Sequence, residues 1–209
     1  NVPGKNAIAV AELAFGLMLS IDRNIPDNVA DLRAAVWNKA RYSQTRGLFG
    51  QRLGIVGLGA IGIAVAERAR AFGMDVLVIE KAGRREEVLS KLGDLGVEFV
   101  RDLADMAAAA DILSFHVPNS IDTKHLVDQA LLDKMKPGSM IINTSRGDVI
   151  DELALLRAMD EKGIRAGVDV YAQEPADGSA NFDSALGRHA NVYGTHHIGA
   201  STKQAQDAV

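Results

Sequence analysis

Hydrophobic positions along this chain follow two spacings. Over residues 6–21 and again over 27–37 they recur at helical intervals, with Pro26 suited to the loop or first helical turn between the two. After an approach segment at 44–51 the pattern changes to short apolar runs at 52–56, 75–79, 97–100, 112–117, 139–143, 166–170 and 191–193. Helical patterns separate most of these runs, including an Ala-rich one at 61–72. That alternation predicts an α/β domain: a doubly wound, mostly parallel sheet with right-handed crossovers and helices on both faces. There is no internal repeat and no low-complexity tail, and the four alanines at 107–110 read as helix filling.

The junction of the first strand with the helix after it carries the strongest chemical signal. Gly57-Leu58-Gly59-Ala60-Ile61-Gly62 follows an apolar run and opens a helix, the arrangement that holds a dinucleotide pyrophosphate in a Rossmann-type fold. Gly57 suits the tight turn, Gly59 leaves bare backbone for the phosphates, and Gly62 lets helix and strand pack closely. Unpaired N–H groups of the first helical turn would face the phosphates. Glu80 closes the next apolar run eighteen residues beyond Gly62, about where a ribose-binding carboxylate belongs. Its charge favours NAD over NADP, whereas Lys81, Arg84 and Arg85 pull towards a 2′-phosphate; NAD is the expected cofactor.

Composition narrows the remaining classes. The 209 residues suffice for one large α/β domain but hardly for two. A formal charge of −4, from 27 acidic and 23 basic side chains, gives no general attraction to nucleic acid or an anionic membrane. The chain has no cysteine, which removes disulfides and thiol catalysis and agrees with a cytoplasmic location. The longest apolar stretch, at 7–21, carries Glu12 and stops short of a membrane span, and the amino end lacks a signal-peptide pattern.

Catalytic candidates cluster at the ends of the later strands. Asn143-Thr144-Ser145-Arg146-Gly147-Asp148 puts a guanidinium at the carboxyl edge of the sheet, where open α/β sheets bind ligands. Arg146 can pair with a substrate carboxylate and polarise the adjacent carbonyl; the alternative is a surface salt bridge to Asp148 or Asp151. Asp169 is placed to hydrogen-bond a cofactor amide, or else to end its strand or cap the following turn. Glu174 with His196 or His197 supplies an acid and base pair, since imidazole exchanges a proton near neutral pH and a bonded carboxylate fixes its tautomer. Residue chemistry alone does not choose between the two histidines. They lack a cysteine partner or a ligand spacing, so no metal is expected. His116 reads as a packed structural residue, His125 as a helix surface residue and His189 as part of a solvated loop.

Taken in order, Gly57 to Gly62, His116-Val117-Pro118, residues 143–152, Gly167-Val168-Asp169-Val170-Tyr171 with Glu174-Pro175, and His197-Ile198-Gly199-Ala200 resemble the NAD-dependent D-2-hydroxyacid dehydrogenase family. The tail Gly199-Ala200-Ser201-Thr202-Lys203 is similar to the family's phosphoglycerate-oxidising branch. The resemblance covers nearly the whole chain. It implies hydride transfer between NAD and a small 2-hydroxyacid, with 3-phospho-D-glycerate as the leading substrate. Arg146 would then orient substrate, His197 act as acid or base, and Glu174 pair with it. Gly57, Gly59, Ala60, Ile61, Gly62 and Glu80 would serve the pyrophosphate and adenosine ribose. Val117 and Pro118 would line the nicotinamide's ribose side and Thr144 and Asp169 adjoin its ring, with His116, Ser145, Arg146 and His197 completing the set.

Two positions depart from the family pattern: Glu80 stands where aspartate is usual, and His196 where proline usually precedes the catalytic histidine. The resemblance also implies that residues 1–209 form one dinucleotide-binding domain, with 1–50 a helical portion that mediates a homodimer. Residues 1–4 resemble the segment leading into that domain, so the usual preceding substrate-binding domain is expected to be absent. The helix at the carboxyl end then stops short, and NAD binding should survive better than catalysis. The rival expectation is a noncatalytic dinucleotide-responsive binding or assembly domain.

Overall fold

A computed structural model describes Gly4 and residues 6–207; residues 1–3, Lys5 and the terminal Ala208-Val209 lie outside the described residues. Helix α1 (Ala7–Arg23) ends at Asn24, whose left-handed φ of 49° turns the chain directly into α2 (Ile25–Arg33) with Pro26 in its first turn. The second helix therefore starts earlier and stops sooner than the apolar spacing predicts. It buries none of its residues, and Ala35 takes a φ of 58°, which ends the helical path before the expected last turn.

From there strand and helix alternate: β1 (Arg52–Val56), α3 (Ala60–Ala71), β2 (Asp75–Ile79), α4 (Glu86–Asp94), β3 (Glu98–Val100), α5 (Leu103–Ala109) and β4 (Ile112–Phe115). Then come α6 (Gln129–Lys134), β5 (Met140–Asn143), a 3-10 turn (Gly147–Val149), α7 (Glu152–Lys162), β6 (Arg165–Val168), β7 (Val192–Gly194) and α8 (Lys203–Asp207). The seven strands form one sheet in the order β3-β2-β1-β4-β5-β6-β7, and every pairing is parallel. Two strands end earlier than their apolar runs. After His116 N–H donates to the Val56 carbonyl at 2.8 Å, β1 has ended and β4 has no neighbour to follow. Asp169 likewise makes a last bond to the Asn143 carbonyl at 3.0 Å before leaving the sheet.

Alternating side chains feed two cores. Leu53, Ile55, Val76, Val78 and Ile142 pack with Met18 and Ile21 of α1 and Val65 of α3 on one face. Leu77, Leu113, Phe115 and Ile141 pack with Met106, Leu132 and Leu155 on the other. Each fully buried aliphatic side chain contributes about 1.5–3 kcal/mol. Long α1 thus belongs to this domain's own core, and Gly167 lets it approach the sheet: a Cβ there would meet Leu17 Cβ at 2.8 Å. Aspartates cap the short helices, Asp102 bonding Asp105 N, Asp128 bonding Leu131 N, and Asp151 bonding Leu153 N and Ala154 N, each worth about 1 kcal/mol. His125 lies in a turn with a φ of 51°, its N–H given to the Asp148 carbonyl at 2.7 Å, and not on a helix as its surroundings suggested. Strand order reverses between β1 and β4, which opens a crevice at the carboxyl edge between them.

Candidate active site

The glycine turn lies at that crevice. Gly57 has a φ of 98°, and a Cβ on it would run into the His116 carbonyl. A Cβ on Gly62 would run into the Gly57 carbonyl, so the turn can sit against α3 only if both stay bare. Gly59 caps α3 with open space beside it, Ala60 is exposed and Ile61 half-buried. No side chain caps α3 and its first turn has no acidic residue, leaving the N–H groups and the positive end of the helix for an anion.

Beside this turn a cleft of about 270 Å³ brings together Ile61, His116, Val117, Pro118, Thr144, Ser145, Arg146, Asp169 and His197. Two buried polar atoms on its wall, His116 Nδ1 and Thr144 Oγ1, have no hydrogen-bond partner. His116 Nε2 is engaged with Ser114 Oγ at 2.8 Å, and burial pushes the imidazole down to about 4, so it is neutral at pH 7. Unpaired buried polar atoms are costly, and a polar ligand such as NAD would satisfy them; the residues present fit that cofactor.

A second cleft, about 340 Å³, continues from the glycine turn past the end of β2 and is lined by Gly57, Leu58, Ile79, Lys81 and Arg84. Glu80 is exposed and not on its lining; its backbone N–H is held by the Val100 carbonyl at 2.8 Å.

Asn143 shapes the arginine loop. Its Oδ1 accepts from Ser145 N at 3.0 Å and from Ser145 Oγ at 2.7 Å, while its Nδ2 donates to the Arg146 carbonyl at 2.9 Å. The Ser145 hydroxyl is therefore spent within the loop. Arg146 is exposed, donates from Nη1 to the Ser145 carbonyl at 2.6 Å, and makes no ion pair among the described residues. The salt bridge to Asp148 or Asp151 does not form; Asp151 instead caps α7.

Asp169, 1% exposed, anchors the histidine loop. Its Oδ1 accepts from Thr195 Oγ1 at 2.6 Å and Ile198 N at 2.8 Å, its Oδ2 from Gly199 N at 2.8 Å, and its carbonyl from His197 N at 2.8 Å. His197 sits in that loop with a left-handed φ of 51°. Its Nδ1 lies 2.6 Å from Glu174 Oε1. Since the carboxylate accepts, Nδ1 carries the hydrogen, and Nε2 makes no hydrogen bond among the described residues. Glu174 Oε2 also takes the Tyr171 N–H at 3.3 Å, and Glu152 takes the Ala172 N–H at 3.0 Å. His196 lines a neighbouring cleft with Glu174 and makes no bond to it, so the geometry selects His197.

Among the predicted residues, Ile61, His116 to Pro118, Thr144 to Arg146, Asp169 and His197 share the first cleft, Gly57 lines the second, and Glu174 reaches the first through His197. Sequence reasoning missed Asn143, Glu152 and Thr195 as supports. An asparagine closing the apolar run Met140-Ile141-Ile142 is the sequence signal that would have found the first.

Fold and site together define a dinucleotide-binding domain of the dehydrogenase class. Residues 15–199 match the family model described as D-isomer specific 2-hydroxyacid dehydrogenase, NAD binding domain, and the chain belongs to that family. It is 40% identical over 209 residues to D-3-phosphoglycerate dehydrogenase of Methanocaldococcus jannaschii, covering 100% of this chain and 38% of that protein. It is 40% identical over 210 residues to hydroxypyruvate reductase of Thermotoga maritima, covering 100% of this chain and 65% of that protein. Among solved structures, apo D-lactate dehydrogenase from Escherichia coli superposes with a TM-score of 0.82 at 32% identity, over 97% of this chain and 60% of that one.

Proposed function

We propose that this chain is the cofactor-holding part of an oxidoreductase that moves hydride between NAD and a D-2-hydroxyacid. The observation that carries this reading is the 2.6 Å His197–Glu174 pair in a cleft shared with Arg146. The substrate is 3-phospho-D-glycerate, giving 3-phosphooxypyruvate, supported by the 40% identity to a phosphoglycerate dehydrogenase along the whole chain. The equal identity to a hydroxypyruvate reductase makes hydroxypyruvate the competing 2-oxoacid to assay.

The glycine turn and the amino end of α3 would hold the pyrophosphate, with His116, Val117, Pro118 and Thr144 along the nicotinamide side. When bound, NAD supplies the hydride acceptor at nicotinamide C4. Arg146 keeps guanidinium nitrogens unpaired, and these grip the substrate carboxylate so that the carbon bearing the hydroxyl is fixed. His197 Nε2 takes the hydroxyl proton during oxidation and returns it during reduction. Glu174 holds the Nδ1–H tautomer, and Asp169 fixes the height of the loop.

Assay of the full-length protein with 3-phospho-D-glycerate and NAD tests this. His197→Ala should lower turnover by about 10²–10⁴-fold while this chain's affinity for NADH stays as it was. Unchanged turnover would remove His197 from the mechanism. NADH binding without turnover in the unaltered full-length protein would favour the dinucleotide-responsive binding domain instead.

The same reading includes a homodimer in the cytoplasm. Leu32 at 58% and Trp37 at 80% exposure lie on or just after a helix that buries nothing in this domain, an apolar surface suited to a second copy. A sedimentation coefficient that rises with concentration would agree with a dimer, and a persistent monomer would reject it. The absence of cysteine supports a reducing compartment, and no helix among the described residues is long and apolar enough to cross a membrane.

A further inference from the structure

We propose that a cavity at the amino edge of the sheet binds inorganic phosphate, with Arg165 and Arg41 holding its oxygens and Asp27 accepting its O–H. The cavity, about 280 Å³, lies between α2, the loop after it and the starts of β6 and β7. It is at the opposite edge of the sheet from the crevice and takes no part in the proposed function. Apart from Ala190, every residue on its lining is polar or charged.

Two walls of this cavity carry opposite charges that do not pair with each other. Half-buried Arg165 opens β6, gives Nη1 to the Ile21 carbonyl at 2.8 Å and makes no ion pair among the described residues. Asp27, on α2, accepts from the Tyr193 hydroxyl at 2.6 Å through Oδ2, and its Oδ1 has no partner among the described residues. Burial, reinforced by the Asp27 carboxylate, raises the Tyr193 hydroxyl, so it stays protonated and donates. Arg41 reaches Asp31 at 3.3 Å through Nη1 alone. The cavity therefore presents guanidinium donors from two segments and one free carboxylate oxygen. A fully deprotonated anion would take the donors but be repelled by Asp27. Inorganic phosphate keeps a proton near neutral pH, and that O–H can donate to Oδ1 while the other oxygens accept from the arginines. Arg41 with Asp31 and Arg165 with Asp27 balance in charge, so selection comes from the donor and acceptor pattern. Helix α2 buries none of its residues, and the Tyr193 hydroxyl ties it to β7 through Asn24 and Asp27. A phosphate spanning Arg165 and Asp27 adds a second tie and should slow amide exchange in α2.

Calorimetric titration of this chain with sodium phosphate and with sodium sulfate, at matched ionic strength and with NADH present to cover the amino end of α3, tests the inference. Phosphate should bind saturably and at least about tenfold more tightly than sulfate. Arg165→Gln, which keeps a donor for the Ile21 carbonyl, should weaken phosphate by about tenfold or more. Arg157→Gln, at an exposed arginine off the cavity lining, should leave it within about twofold. Asp27→Asn should abolish the preference for phosphate over sulfate. Hydrogen exchange in the unaltered chain should show α2 protected by phosphate and not by sulfate, and cooperative thermal unfolding of each variant shows that it folds. Absence of saturable phosphate binding, equal affinity for the two anions, or equal losses from Arg165→Gln and Arg157→Gln overturns the inference.

Discussion

At the proposed nicotinamide end of the cleft, both carboxylate oxygens of buried Asp169 accept from the loop bearing His197, and the amide of buried Asn143 accepts from Ser145 and donates to the Arg146 carbonyl in the loop bearing Arg146. At the proposed adenosine end, Glu80, Lys81 and Arg85 are exposed and unpaired among the described residues, and a single backbone contact holds Arg84. The difference follows the work proposed for each end. Acid–base chemistry needs atoms placed within fractions of an ångström, so the protein supplies the order in advance. Gripping a ribose needs only charge and donors within reach, and long side chains supply that from the surface.

Substitutions can break this comparison in graded steps. Asp169→Ala should be the most damaging, costing about 3–5 kcal/mol because the part-buried Ile198 and buried Gly199 N–H groups lose their acceptor. Urea unfolding measures it, and a loss under about 1 kcal/mol would mean that the histidine loop is not anchored there.

The next effect is a pH dependence. Burial pushes the His116 imidazole down to about 4 in the fold, from its ordinary 6.5. As pH falls through 6.5 the unfolded chain takes up a proton that the folded chain refuses until about 4. Stability is therefore lost across that window on acidification, by about 3 kcal/mol from this group. His116→Gln should flatten the slope of unfolding free energy between pH 7 and 5, and an unchanged slope would assign it elsewhere.

Gly62→Ala should cost about 2 kcal/mol and weaken NADH binding, since its methyl meets the Gly57 carbonyl. Thermal unfolding with and without NADH reads both, and a neutral substitution would contradict the tight turn. Smallest in stability are Glu174→Gln and Arg84→Ala, each within about 0.5 kcal/mol. They sharpen the contrast between the ends if the first affects turnover and the second only nucleotide affinity.

Much of this was legible in the sequence because it is local. Each strand run and the glycine turn depend on neighbours a few residues away, so the alternation of apolar runs located all seven strands. Strand ends were less legible: Val117 and Val170 are apolar, yet β1 and β5 stop opposite the preceding residues and leave nothing to pair with. In the site, the residue types of Arg146, Glu174 and His197 suggested the chemistry proposed for them. The choice of His197 over His196 waited on a fold that brings Glu174 to one imidazole only. The role of Asp169 was hidden for the same reason, since its partners Thr195, Ile198 and Gly199 come from a separate loop beyond β7.

The most direct test of a cofactor domain is calorimetric titration of this chain with NADH, with the imidazole resonance of His116 followed in parallel. The account predicts saturable single-site binding that perturbs His116, because the ligand supplies the partner its Nδ1 lacks. Absence of saturable binding, or binding that leaves His116 unchanged, would contradict it.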